Sequence, residues 1–283
     1  MSTFRQIVCA VDFSPASHEA ISKASFLAQL YQADLNLLHV IHVLPQTFGV
    51  THPSDLATQD MMVQAEERAR DLLRQAKQTH IPYAVKSRSF VRGGNWADEI
   101  LVHLKESGAD LLVVPGGESE LQEPMDKLID KVDIPILAFQ PSTNGTGSRL
   151  GFRRVLLALG PNDHLEGMDQ LLVRQMAQLD LEVLLLGVVN PKETQISMDQ
   201  LRSQFETQAL ELQEQGVESV RFRVVIDEHP AGRIQEIANE ANCDLIMMHT
   251  HSPDHLGDYK VSALTRGVMR TSGIPVMTRN PMQ

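Results

Sequence analysis

Three of the chain's eleven histidines fall within seven positions: His249, His251 and His255, in the stretch MMHTHSPDHLGDYKVSALTRG. Asp254 and Asp258 share that stretch. Neutral imidazoles and carboxylates are ligands that zinc or a similar divalent ion accepts. His249 and His251 are two residues apart at a strand end, a spacing that faces both rings one way. A zinc site requires three or four ligands converging at about 2.0–2.2 Å. The H-x-H-x-x-x-H spacing on a loop is a weak pattern for that convergence. The competing reading is a polar loop at the carboxyl ends of the strands.

Other reactive constellations are missing from the sequence. It contains no G-x-S-x-G elbow, no G-x-x-x-x-G-K-(S/T) loop and no C-x-x-C pair, so an enzymatic role has little support. Cys9 sits inside an apolar run and Cys243 just before one, which suits small core residues in a reducing compartment. The formal net charge of −11 argues against nucleic acid and anionic membranes as partners. No apolar run approaches the roughly 18–20 residues that span a bilayer, and MSTFRQIVCAVDFS reads as a strand rather than a signal peptide. A cytoplasmic protein is expected. His39 reads as a hydrogen-bonded core histidine, Trp96 as packing before a helix, and His229 as a residue of the strand rim. His42 and His52 border a long loop, residues 44–56, which is either a lid or an ordinary surface loop.

The elements that must position these residues occur twice. In the first half IVCAVD reads as a strand, with Ser14 as N-cap and Pro15 as first residue of a helix. LNLLHVIHV is a strand, Thr58 to Lys77 a helix, YAVKSRSFV a strand, and ADEILVHLKES a helix closed by Gly108. DLLVVP, PMDKLIDKV and IPILAF complete a strand, a helix and a strand. The second half repeats the order: RRVLLALG, a helix face of Leu165, Met168, Leu172 and Leu179, then LEVLLLGVV. Leu201, Phe205, Ala209 and Leu212 make the next helix, closed by Gly216. VRFRVVI, AGRIQEIANEA, DLIMMHT, SALTRGVMRTS and IPVMTR follow. LLHVI lies over LLGVV at an offset of 148, ADLLVV over CDLIMM at 134, and IPIL over IPVM at 140. Strands alternating with helices predict α/β architecture: two tandem, doubly wound, five-stranded parallel-sheet domains. The expected boundaries are 1–140 and 152–283, joined by a linker at 141–151 rich in Pro, Ser, Gly, Asn and Thr.

The order and words of this sequence resemble the universal stress protein family in its tandem form. IVCAVDFSPASHEAISKASFLAQLYQADLNLLHVI and CDLIMMHTHSPDHLGDYKVSALTRGVMRTSGIPVM carry the resemblance, which covers nearly the whole chain. It implies a Rossmann-like fold related to the adenine nucleotide alpha hydrolases. Some family members bind ATP. There the Asp ending strand one and the Val of LLHV contact adenosine, and a loop G-x-x-G-(nine residues)-G-(S/T) holds the phosphates. Glycines let backbone N–H groups approach phosphate closely, and the following helix N-terminus adds positive partial charge.

Carried onto this chain, the resemblance gives Asp12 and Val40 for the adenosine side of half one. Gly116 and Gly117 remain of its phosphate loop, but the loop is 6 residues shorter than its counterpart, and Glu118, Glu120 and Glu123 bring carboxylates to the phosphate side. In half two the loop is full length, but His249, Ser252 and Ser262 stand at the glycine positions and Ala263 at the S/T position, with Thr250 inside the loop. Gly160 occupies the slot of Asp12, and Asp254 and Asp258 add negative charge.

Three readings result. The first is a non-catalytic stress-response or regulatory protein with degenerate nucleotide sites that binds a protein or small metabolite. The second is an ATP or adenine-nucleotide module with at most slow hydrolysis, using Asp12, Val40, Gly116, Gly117, Thr250, Ser252 and Ser262. The third is a metal module using His249, His251 and His255, with zinc as the model ion. The resemblance also implies an intramolecular pseudo-dimer through IPILAF and IPVMTR, with a homodimer of whole chains as a further arrangement.

Overall fold

The computed structural model describes residues 4–42, 56–116, 122–139, 151–160, 163, 165, 180–192, 197–253, 259–261 and 263–279. Half one runs β1 (Gln6–Ala10), α1 (Pro15–Tyr31), β2 (Asp34–His42), α2 (Leu56–His80), β3 (Ser87–Gly94), α3 (Trp96–Ser107), β4 (Leu111–Pro115), α4 (Gln122–Lys131) and β5 (Ile136–Phe139). Half two runs β6 (Arg154–Leu159), β7 (Glu182–Val189), α5 (Met198–Glu214), β8 (Ser219–Ile226), α6 (Pro230–Glu240), β9 (Leu245–His249), β10 (His251–Pro253), β11 (Tyr259–Val261), α7 (Ala263–Thr271) and β12 (Val276–Arg279). The expected linker beyond Gly151, the loop 44–55 and the helix face of Met168, Leu172 and Leu179 lie outside the described residues.

Local chemistry explains the element ends. Ser14 caps α1 by accepting from the Ser17 N–H, with Pro15 at the first helical position. Asn95 caps α3 through the Asp98 N–H, and Gly108 ends it in the left-handed conformation at φ 61°. Ser197 and Gln200 form a reciprocal capping box on α5. Two expected boundaries move. The helix read as Thr58–Lys77 extends to Leu56–His80. The strand read from Tyr83 begins only at Ser87, because residues 83–85 form a turn closed by the Val85 N–H on the Pro82 carbonyl.

The two five-stranded sets merge into one ten-stranded sheet of order β3-β2-β1-β4-β5-β12-β9-β6-β7-β8. Pairing is parallel within each half and antiparallel only where β5 meets β12. The registers reproduce the sequence duplication. Cys9 pairs with Val113, and their counterparts Leu157 and Met247 pair likewise. Pro115 faces Phe139 as His249 faces Arg279. At the junction Leu137 lies opposite Met277, its own counterpart at offset 140. A local two-fold axis therefore passes between β5 and β12, and the halves meet as an isologous dimer would.

Side chains alternate between the two faces of this sheet. One core cluster holds Cys9, Leu37, Val113, Leu157 and Met247 under Ile21 and Leu27 of α1, Leu73 of α2, and Phe205 and Leu212 of α5. The other holds Val8, Leu38, Val114, Ile246 and Met248 under Ile100 of α3, Leu128 of α4, Ile237 of α6 and Val268 of α7. Each cluster runs through both halves, so the junction is part of the cores. No helix among the described residues is long and apolar enough to cross a membrane.

Candidate functional sites at two strand crevices

In each half the first strand lies between the second and fourth, so the chain leaves it in opposite directions on its two sides. Such a switch point opens a crevice at the carboxyl ends of the strands. Half one places Asp12 and Gly116 there; half two places Gly160 and Thr250 there.

Half one keeps a carboxylate at the end of its first strand. The Val11 N–H donates to the Leu38 carbonyl at 2.8 Å, continuing the ladder up to Asp12. Asp12 Oδ1 accepts from the Ser14 N–H at 2.9 Å, and the Asp12 N–H donates to Ser17 Oγ at 3.2 Å. The carboxylate is thus held by the turn into α1. His39 donates from Nδ1 to the Val11 carbonyl at 2.6 Å, which fixes its tautomer. Its ring packs on Phe13 at 4.6 Å between centroids, and Phe13 adopts φ 64° to make that turn. His39 is hydrogen-bonded, as expected from the sequence, but half-buried at the strand end instead of lying in the core. Val40 is buried on the opposite face, in the cluster that also contains Trp96. Trp96 therefore packs, as expected. The Gly116 N–H donates to the Phe139 carbonyl. The first N–H after β4 is thus committed to the sheet. Gly117 and the carboxylates of Glu118 and Glu120 lie outside the described residues.

Half two fills the equivalent positions differently. With no side chain on Gly160, its N–H donates at 2.8 Å to Oδ2 of Asp163. A Cβ on Gly160 would stand 3.0 Å from that same oxygen. The carboxylate has moved three residues along the chain and turned back toward the strand end. Asp163 is buried, and α5 holds it: Gln204 and Gln208 donate through Nε2 to its backbone carbonyl at 3.4 and 3.2 Å. Across the crevice the Nδ1 of buried His249 lies 4.0 Å from Asp163 Oδ2. At the slot of His39 stands Gly187, and the Phe205 ring of α5 fills the space: a Cβ there would come within 2.6 Å of Cζ.

The loop after β9, read as a polar loop, carries regular structure at its ends. Its described ends form a two-stranded antiparallel ribbon, with His251 paired to Val261 and Pro253 to Tyr259. His249 therefore ends a strand of the main sheet while His251 begins a strand of the ribbon, instead of both lying on one strand. Thr250 is buried between them, and its N–H donates to the Arg279 carbonyl at 2.8 Å, as Gly116 does to Phe139. Thr265 Oγ1 donates to the His249 carbonyl at 2.7 Å. Ser252 lies in β10 opposite Lys260. His255, Asp254, Asp258 and Ser262 lie outside the described residues, and among the described residues no three His, Cys, Asp or Glu side chains gather as a metal would require.

Sequence reading missed Asp163, Gln208 and Phe205. Asp163 had a signal, an acid three residues beyond a strand-ending glycine. Phe205 was read as core; its packing into the space beside Gly187 depended on the glycine opposite.

Burial makes three histidines of half one, His39, His80 and His103, sensitive to acid. It lowers the pKa of His39, partly offset by the Val11 hydrogen bond and the Asp12 charge. It also lowers that of His103, which is 3% exposed and lies 3.3 Å from Asn36, with Arg92 lowering it further. A histidine whose folded pKa is depressed binds protons more readily when unfolded. Its contribution is complete above the unfolded value of about 6.5 and is lost as pH falls through that value toward the folded pKa. The unfolding free energy from urea titrations should therefore drop between pH 7 and 5.5, by up to about 1.4 kcal/mol per pH unit for each histidine. His103→Asn should flatten part of that slope.

Three comparisons bear on these crevices. The model of the universal stress protein family matches residues 3–137 and again 151–278. A universal stress protein of Bacillus subtilis, YxiE, is 29% identical over 127 residues, covering 43% of this chain and 86% of that protein. Among solved structures, a universal stress protein from Archaeoglobus fulgidus aligns over 98% of this chain and 97% of its own, with TM-score 0.72 and 16% identity. A putative universal stress protein from Pseudomonas aeruginosa aligns over 98% and 93%, with TM-score 0.59 and 14% identity.

Proposed function

Because this chain belongs to the universal stress protein family, with two family units in tandem, we propose that it is a non-catalytic stress-response protein whose nucleotide crevices are degenerate and which acts by binding a protein or a small metabolite. The observation that carries this is the filling of the half-two crevice by the chain itself. Asp163 takes the Gly160 N–H at 2.8 Å and puts a buried carboxylate beside His249. Phe205 occupies the space beside Gly187. A triphosphate entering there meets a buried negative charge, and like charges repel strongly where water is scarce.

Half one supports a second, narrower reading. Asp12 and Val40 stand at the positions that would receive adenosine, and the Asp12 carboxylate is already oriented by the Ser14 N–H. Its loop sequence carries Glu118, Glu120 and Glu123, three carboxylates that the family resemblance assigns to the phosphate side. Half one thus suits an adenine nucleoside better than a nucleotide with several phosphates. The test is denaturing mass spectrometry of natively purified full-length chain. Absence of stoichiometric ATP is expected. One or more ATP per chain overturns the degenerate-site reading.

A further inference from the structure

The two helices that flank the local two-fold axis carry opposite charges at equivalent positions. Asp126 and Asp130 lie on α4; the offset of 140 that relates the halves carries them to Arg266 and Arg270 on α7. The four residues meet across the axis. Arg270 reaches Asp126 at 2.6 Å, and Arg266 reaches Asp130 at 2.9 Å and Asp126 at 3.6 Å. Asp126 is the more shielded acid, with its side chain 21% exposed.

In an isologous pair every residue near the axis faces its own counterpart. Two copies of half one meeting through β5 would bring four aspartates together around the axis. Two copies of half two meeting through β12 would bring together four arginines. Only half one against half two gives three attractive pairs. The neighbouring apolar contact has no such preference, since Leu137 and Met277 are interchangeable hydrophobes at the axis itself. Backbone pairing between β5 and β12 is equally indifferent to which half supplies the strand. Shape and hydrogen bonding therefore permit like-with-like pairing, and charge opposes it.

We propose that Asp126, Asp130, Arg266 and Arg270 form a pairing code that matches half one to half two and rejects a second copy of the same half. The junction surface of this chain is thereby reserved for its own other half. It is not the surface through which whole chains would assemble by like halves.

Two measurements on the full-length chain test this. First, R266D/R270D and D126R/D130R are compared with the corresponding alanine pairs and with the fourfold swap D126R/D130R/R266D/R270D. Each reversal should lower the folding equilibrium constant about tenfold below its alanine pair, since it sets four like charges side by side across the axis. The fourfold swap should recover most of that loss. Reversals no worse than alanine, or a swap without recovery, overturn the code. Second, a protease site placed within residues 141–150 allows the folded chain to be nicked, and native mass spectrometry then reads which halves remain paired. Unlike pairs alone are expected from the native sequence. Like pairs in statistical proportion overturn the proposal. If nicking dissociates the halves entirely, the stability cycle on the intact chain decides.

Discussion

Replacing Phe205 with alanine is expected to cost about 3–5 kcal/mol, the range for deleting a buried phenylalanine ring. Phe205 is fully buried in the core cluster under α5. Its ring lies so close to Gly187 that a Cβ there would stand 2.6, 2.9 and 3.1 Å from three ring carbons. Gly187→Ala alone should therefore destabilise by about 1–3 kcal/mol through overpacking. The ring is fully buried in the core that also holds Leu185 and Leu212, which leaves it little room to swing outward. Together the substitutions should be less damaging than their sum. The added methyl enters the cavity left by the ring, giving a coupling of about 1–2 kcal/mol. Urea denaturation of the two single variants and the double variant measures this. Additive losses would show that Phe205 does not fill the Gly187 slot, and the proposal of a closed half-two crevice would lose its main support.

The second large effect is expected at a pair of carboxylates repeated by the duplication. Asp110 accepts from the Arg5 N–H at 2.8 Å and the Gln6 N–H at 3.1 Å. Its counterpart Asp244 accepts from the Arg153 and Arg154 N–H groups at 3.0 Å each. Each carboxylate ties the entrance of the fourth strand to the entrance of the first. Hydrogen bonds to a charged acceptor contribute about 1.5–3 kcal/mol, and removing the acceptor leaves backbone donors unpaired. Asp110→Ala and Asp244→Ala should each cost about 2–3 kcal/mol. The asparagine variants should cost less, because one oxygen still accepts. Thermal unfolding of the four variants checks the order. Burial raises the pKa of both carboxyls, with the backbone N–H groups opposing the shift. A carboxyl raised on folding takes up protons more readily in the folded chain, so its contribution grows as pH falls into that window. These two acids therefore do not account for the acid sensitivity expected from His39, His80 and His103.

Much of the architecture was readable from the sequence because the duplication left matching words in matching elements. Ser14-Pro15 and Gly108 marked helix ends by their backbone chemistry, and those ends are where they were expected. Strands such as LLVVP were legible as continuous apolar runs because both faces are covered. The pairing of IPILAF with IPVMTR was expected from family resemblance; its register, with Leu137 opposite Met277, was not. The two-stranded ribbon at His251–Pro253 and Tyr259–Val261 was invisible, since three-residue strands with a polar connection carry too little periodicity. The crevices were half legible. Asp12 and Gly160 were set against each other correctly by the offset. The compensating Asp163 and Phe205 were not seen, because their meaning depends on the space left by two glycines. The charge pattern of α4 and α7 was also present in the sequence. It became meaningful only once the two-fold axis placed Asp126 opposite Arg266.

The proposed function requires a half-two crevice closed to ATP and a half-one crevice unsuited to phosphates. Equilibrium titration of the full-length chain with adenosine and with ATP tests it most directly, in the native sequence and in Asp12→Ala. The account predicts at most one ligand per chain, ATP bound no more tightly than adenosine, and loss of whatever binding exists on Asp12→Ala. Two ATP per chain, or ATP held about a hundredfold tighter than adenosine, a gain of about 2.8 kcal/mol from its phosphates, would contradict it.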